Sequence, residues 1–155
     1  MQLRQLVDPN LVFTDLACGD RDQVLRALAD RLESRGAVAD AGDLYRKLVE
    51  RENLGSTAIG KGVAIPHCKL PDLERVIVTV GLTPQGVSME TPDQVPVRLF
   101  FLVVSPEGSP AEHLQSLAAI SKWLKDGRKV EGVQRLSTSA EISAVLCEEE
   151  GGGGG

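Results

Sequence analysis

Residues 60–69 read Gly60-Lys-Gly-Val-Ala-Ile-Pro-His67-Cys-Lys69. The segment joins two glycines, a short apolar run, a proline that fixes φ, and one of the chain's only two histidines. Val63-Ala64-Ile65 reads as a buried strand, and the residue before Pro66 is itself driven towards extended geometry. A histidine tethered to the end of such a run is presented in one orientation, as a group offered to a partner must be. Position alone favours the plainer reading, a polar loop residue after a strand, so the surrounding chain has to decide.

Downstream, Arg75 to Leu82 carries Val76, Ile77, Val78 and Val80 in a β pattern. Thr83-Pro-Gln-Gly86 reads as a turn, with Val87 and Met89 in another short strand. Leu99-Phe-Phe-Leu-Val-Val104 is the most continuous apolar run, and predicts a central strand buried on both faces. Ser109-Pro110-Ala111-Glu112 then has the N-cap, first-position proline and acidic third position of a helix start. That helix continues through Leu114, Leu117, Ala118, Ser121 and Leu124 to a stop near Gly127. His113 falls in its first turn, where the helix dipole favours neutral imidazole. Two more helices are predicted, from about Arg128 to Leu136 and from Thr138 to Cys147.

Upstream, Leu11-Val12-Phe13 reads as a short strand. Asp20 and Gln23 stand at capping-box spacing before Val24, Leu25, Leu28, Ala29 and Leu32 at helical period, with Gly36 as the stop. Asp43 opens a second helix, with Leu44, Leu48 and Val49 on its apolar face, running to about Glu52. Its end delivers Arg51 and Glu52 close to the Gly55-Ser56-Thr57 turn. Strands alternating with helices, then strands preceding helices, predict an α/β domain with a mixed sheet covered by helices. One domain is expected over 1–147, with an acidic and glycine-rich flexible tail over 148–155.

Composition narrows the function. At 155 residues the chain can bury a substantial core, and 42% apolar with 3% aromatic content makes that core mainly aliphatic. A net charge of -5 without a basic block excludes nucleic-acid binding by phosphate neutralisation. No stretch approaches the roughly 20 apolar residues of a membrane span, and the N-terminus lacks signal-peptide character, so no membrane insertion and a cytoplasmic location are expected. Three cysteines, Cys18, Cys68 and Cys147, fit a reducing compartment and no metal spacing. A neutral imidazole is a good nucleophile, and a hydrogen bond to one ring nitrogen decides which nitrogen attacks. For phosphoryl transfer the protein must mainly position groups and stabilise spread negative charge. Arg51, His113, Ser56 and Thr57 are donors of the required type, but spacing leaves their convergence open. A Cys68–His67 dyad is disfavoured, because neighbours in an extended chain point to opposite sides.

Arg51-Glu-Asn-Leu-Gly-Ser-Thr-Ala-Ile-Gly-Lys-Gly-Val-Ala-Ile-Pro-His67-Cys68, followed by His113-Leu-Gln-Ser-Leu-Ala118, resembles the enzyme IIA domain of the fructose/mannitol class (type 2) of the bacterial phosphoenolpyruvate-dependent phosphotransferase system. The resemblance implies a three-layer α-β-α fold with a mixed β-sheet sandwiched between helices and the active histidine in a shallow depression. It implies that His67 accepts a phosphoryl group through Nε2 from the phosphohistidine of an HPr-type carrier. His67 would pass that group to an acceptor on a IIB domain. Arg51 would steady the phosphoryl oxygens and His113 would sit beside His67. Gly60 and Gly62 would admit a partner's backbone, or simply make turns. Ser56 and Thr57 match the family's Gly-Ser-Thr segment. Two departures stand out: Ala58 and Cys68 occupy positions where glycine, or at 68 also alanine, is more frequent. Cys68 reads mainly as a small packing residue, with redox modulation the other possibility.

No cofactor or metal is implied. Within the family the chain most resembles the stand-alone nitrogen-regulatory (PtsN-type) form, with no room for IIB, HPr-like or membrane domains, whose phosphorylation state would be read by regulated target proteins. The alternatives are a detached fructose-type transport subunit and a binding module that regulates partners independently of phosphate.

Overall fold

The computed structural model describes residues 1–148. The expected tail, apart from Glu148, lies outside the described residues. After a 3-10 turn at Leu3–Gln5 come β1 (Val7–Phe13), α1 (Arg21–Ser34), α2 (Ala41–Leu54), β2 (Ala58–Gly60), β3 (Val63–Ala64), β4 (His67–Leu70) and β5 (Ile77–Val87). β6 (Val97–Pro106), α3 (Pro110–Trp123), α4 (Gly127–Gln134) and α5 (Ser139–Leu146) complete the chain. The apolar run at 99–104 is the middle of the sheet, as its composition predicts. β5 lies antiparallel along one edge of β6, while β3 and β4 lie end to end along the other, both parallel. β1 pairs in parallel with β5, and β2 antiparallel with β3, so the sheet is mixed.

Strand alternation sends successive β6 side chains to opposite layers. Phe100, Leu102 and Val104 join Leu25, Leu28, Leu32, Leu44 and Leu48 beneath α1 and α2. Leu99, Phe101 and Val103 join Ile120, Trp123, Val130, Val133, Ile142 and Leu146 beneath α3, α4 and α5. The result is the expected α-β-α sandwich. Each fully buried leucine in it contributes about 1.5–3 kcal/mol.

Local chemistry explains most element ends. Asp20 accepts from the Gln23 N–H at 2.8 Å, and Gly36 adopts φ 74° just past α1. Thr138 accepts from the Glu141 N–H at 3.2 Å to start α5. Four expectations need correction. α2 starts two residues before Asp43, at Ala41, because Asp40 is the cap, accepting the Asp43 N–H at 3.1 Å with Ala41 buried behind it. Ser109 makes no side-chain cap for α3; Pro110 sets the first turn, and the Ser109 carbonyl accepts the His113 N–H at 3.2 Å. Gly127 is the first residue of α4 rather than the stop of α3, because Asp126 caps the amides of Arg128 and Lys129.

The fourth correction is the turn expected at 83–86. The chain passes through it as an irregular part of β5, with an enlarged bulge between the Leu82–Leu99 and Val87–Val97 pairs. Gly86 supplies the φ of 78° that the bulge needs, and the Thr83 hydroxyl donates to the Val97 carbonyl at 2.9 Å. β5 ends at Val87, so Met89 lies in no strand.

Candidate active site

Pro66 interrupts the ribbon of β3 and β4 only by lacking an N–H. Its carbonyl still accepts from Val103 at 2.9 Å, and both strands keep the same offset against β6. Sequence reading took His67 as the residue after a strand; register makes it the first residue of the next one. His67 stands opposite Val103, Cys68 opposite Val104 and Lys69 opposite Ser105. Opposed residues share a face, so His67, Lys69 and Ser105 face the α3 layer while Cys68 faces α2. The expectation that His67 and Cys68 diverge therefore holds.

His113, one turn into α3, meets His67 on that face. The ring centroids are 5.5 Å apart and tilted by 58°. His113 is buried, with 8% of its surface exposed, and Ser105 Oγ lies 2.6 Å from its Nδ1. Burial first, then the neighbouring His67 and Lys69 charges, hold the His113 proton affinity below the usual imidazole range. His67 is partly buried, and its Nδ1 lies 2.8 Å from the Ile65 carbonyl oxygen. A carbonyl only accepts, so the His67 proton sits on Nδ1 and the Nε2 lone pair is free.

The Ile65 peptide is itself held in place. Its N–H donates to the Thr57 carbonyl at 3.1 Å, while the Thr57 N–H donates to Glu52 Oε2 at 3.0 Å and the Thr57 hydroxyl donates to Glu52 Oε1. Glu52, 3% exposed, thus reaches His67 through Thr57 and Ile65. Thr57 is buried and its hydroxyl is committed to Glu52. The Ser56 hydroxyl accepts the Ala58 N–H at 3.1 Å. Both residues shape the loop that carries the site.

Arg51 stands at the last turn of α2, where Nη1 donates to the Gly55 carbonyl at 2.9 Å. The two histidines are brought into ring contact; the hydrogen bond of Arg51 goes to its own helix end rather than to either ring. Gly60 and Gly62 flank Lys61 in a tight hairpin, with φ of 57° at Lys61 and 76° at Gly62, the signs a type I′ turn requires. The hairpin tip is clamped: Asp93 Oδ2 accepts the Lys61 N–H at 2.8 Å, and Gln134 Nε2 donates to the Lys61 carbonyl at 2.9 Å. The Lys61 amide, then the Val95 amide, hold the Asp93 carboxyl below its ordinary range. A Cβ at Gly62 would lie 3.3 Å from the Pro96 carbonyl oxygen, so the packing around this glycine is already within the chain.

Burial pushes the Cys68 thiol up to about 12, and its side chain packs against the core beneath α1 and α2. Among the described residues no three His, Cys, Asp or Glu side chains cluster as metal ligands, and no helix is long and apolar enough to cross a membrane.

Sequence reasoning missed Ser105 and Lys69, and brought Glu52 to the Gly55-Ser56-Thr57 turn without its partner Thr57. Ser105 and Glu52 carried a further signal. Ser105 directly follows an apolar run buried on both faces, and Glu52 follows Leu44 and Leu48 on one helical stripe; a polar group in either place needs a partner.

Comparison with known proteins identifies the family and the fold. The family described as "Phosphoenolpyruvate-dependent sugar phosphotransferase system, EIIA 2" matches residues 5–149. A nitrogen regulatory protein of Bradyrhizobium diazoefficiens is 36% identical over 147 residues, covering 95% of each chain. The fructose-specific EIIABC component of Bacillus subtilis is 27% identical over 124 residues, covering 80% of this chain and 20% of that protein. The nitrogen regulatory protein IIA-Ntr of Neisseria meningitidis superposes with a TM-score of 0.84 at 26% identity, covering 93% of this chain and 98% of that one. With the matched region spanning nearly the whole sequence and the same fold in IIA-Ntr, the chain belongs to the type 2 EIIA family of the phosphoenolpyruvate-dependent sugar phosphotransferase system.

Proposed function

We propose that this chain is a phosphocarrier in which His67 Nε2 accepts a phosphoryl group from an HPr-type phosphohistidine. The observation that carries the reading is the bond from His67 Nδ1 to the Ile65 carbonyl, which leaves Nε2 as the nucleophilic nitrogen. The Nε2 lone pair forms the new N–P bond as the donor's N–P bond breaks, and the donor ring recovers its lone pair. His67 keeps its Nδ1 proton throughout. Delivery to a IIB-type acceptor reverses the roles, with His67 as the leaving group.

Three groups serve the spread charge of the transferring phosphoryl. His113 is at ring contact. Lys69 lies two residues beyond His67 on the same face of β4. Arg51 reaches the phosphoryl oxygens by exchanging the Gly55 carbonyl for them. Ser56 and Thr57 act through the loop, and Gly60 and Gly62, both buried, act by shaping the hairpin that precedes β3 rather than by meeting a partner. A IIB-type partner is consistent with the Escherichia coli complex of enzyme IIAMtl and phosphorylated IIBMtl, a chain of the same fold at 18% identity. A cytoplasmic location follows from dependence on phosphoenolpyruvate as the ultimate donor.

The regulatory role, in which target proteins read the phosphorylation state, is favoured by full-length similarity to the Bradyrhizobium nitrogen regulatory protein. Sugar transport is the second reading, favoured by 29% identity over 120 residues to the fructose-specific EIIA component of Haloferax volcanii, which this chain covers over 74% of its length. The experiment for the acceptor is nitrogen NMR of imidazole-labelled protein after phosphorylation through enzyme I and HPr. The N–P bond is expected at His67 Nε2; attachment at Nδ1, or on His113, contradicts the mechanism.

A further inference from the structure

We infer that His67 and His113 carry opposite tautomers, and that Ser105 is the positioning residue that fixes the second by donating its hydroxyl proton to His113 Nδ1. The inference rests on the phosphocarrier reading for its consequence, though not for its geometry. Ser105 is fully buried near the end of β6, opposite Lys69, and its Oγ is 2.6 Å from His113 Nδ1. A serine hydroxyl and an imidazole nitrogen can share a proton in two ways. If Nδ1 donates, His113 is left with a bare Nε2 lone pair. If the hydroxyl donates, the proton of the neutral ring sits on Nε2.

Both histidines have Nδ1 engaged inside the chain, His67 on Ile65 and His113 on Ser105. The Nε2 atoms are therefore what the pair offers to a reacting group. His67 already supplies a lone pair. A second bare lone pair beside it would repel anionic phosphoryl oxygens, whereas an Nε2–H would bind them. Burial favours the neutral His113 ring, so the direction of one hydrogen bond decides whether this ring helps or hinders. One strand sets both rings: β6 holds His67 through the Val103 register and His113 through the Ser105 hydroxyl. No proton has to move during transfer. The Nδ1–H of His67 stays on the Ile65 carbonyl, and the Nε2–H of His113 remains a donor before and after.

Long-range nitrogen–proton correlation spectra of the unphosphorylated, imidazole-labelled protein at neutral pH read both tautomers directly. The expected result is a proton on Nδ1 of His67 and on Nε2 of His113. In Ser105→Ala, His113 should become a mixture of tautomers while His67 is unchanged. The rate of phosphoryl acceptance should fall about tenfold, less than the roughly 100-fold or greater loss from deleting such a donor outright. Ser105→Thr, which keeps the hydroxyl, should restore the tautomer and most of the rate. A wild-type His113 protonated on Nδ1 overturns the inference, as does a Ser105→Ala protein with unchanged tautomer and rate. The wild-type spectrum decides the tautomers even if the variants fold poorly. It also needs no phosphoryl donor, so failure of the acceptor reading would be seen separately, as a wild-type protein that takes up no phosphate.

Discussion

Replacing Glu52 with alanine should destabilise the fold and slow the site together, because one carboxyl group anchors the loop that leads to His67. Glu52 accepts both the amide and the hydroxyl of Thr57, in a region where Glu52 is 3% and Thr57 7% exposed. Alanine strands two buried donors, each costing about 1–3 kcal/mol when left unpaired. Relief of the cost of burying a carboxyl group offsets part of this. The net loss is then about 2–4 kcal/mol, a large share of the roughly 5–15 kcal/mol that holds a domain folded. Glu52→Gln keeps a carbonyl acceptor, and its amide can donate to the rotated Thr57 hydroxyl, so it should cost only about 1 kcal/mol.

Urea unfolding followed by Trp123 fluorescence measures the difference, since the single tryptophan is buried edge-on against Phe101. A midpoint shift of about 1–2 M is expected for alanine at the usual urea sensitivity of a small domain. The same variant should slow phosphoryl acceptance at least about tenfold, through loss of order at Ile65 and hence at the His67 ring. A shift corresponding to less than about 0.5 kcal/mol, with an unchanged rate, would refute the positional chain from Glu52 through Thr57 and Ile65 to His67.

Gly86→Ala should cost about 1–3 kcal/mol by the same assay, because φ is 78° there and the new Cβ would lie 2.9 Å from the Pro96 Cβ; a neutral result would mean that the β5 bulge is pliable. His113 should titrate in NMR below the ordinary imidazole value of 6.5. Because the unfolded chain then binds this proton more tightly, the His113 contribution to stability is fully present above 6.5 and is lost as pH falls through the lower folded value. Wild type should therefore lose more stability than His113→Gln between neutral pH and that value, and equal losses would contradict the depressed proton affinity. In native protein at mildly alkaline pH a thiol reagent should modify exposed Cys147 first and Cys68 only on unfolding, given the Cys68 value of about 12; fast modification of Cys68 would support the redox reading.

Where one local rule dominates, the sequence already shows the outcome. Six apolar residues in a row leave 99–104 no environment but the centre of the sheet, and Asp20 and Thr138 cap helices with their own side chains. Legibility fails where two local rules compete or where partners are distant. Asp43 reads as the helix start, but its own N–H is the group capped by Asp40, with Ala41 buried between them. Pro66 hides the fact that β3 and β4 share one register, since that register belongs to β6, more than thirty residues away. Gly86 reads as a turn because the bulge it serves is defined by the strand opposite.

In the site the histidine pair was legible through the motifs around each ring, while the groups behind them were not. Ser105 and Glu52 act through contacts that no spacing rule contains. Thr57 reads as a phosphoryl-contact candidate because its hydroxyl is visible in the sequence, while the hydrogen bond that commits it to nearby Glu52 is not.

The central claim is that His67 carries the phosphoryl group. It is tested most directly by the intact mass of the protein after incubation with phosphoenolpyruvate, enzyme I and HPr, beside His67→Ala treated identically. A single acid-labile phosphoryl addition on wild type and none on His67→Ala is the predicted result. Addition to the variant, or none to wild type in the presence of demonstrably phosphorylated HPr, would contradict it.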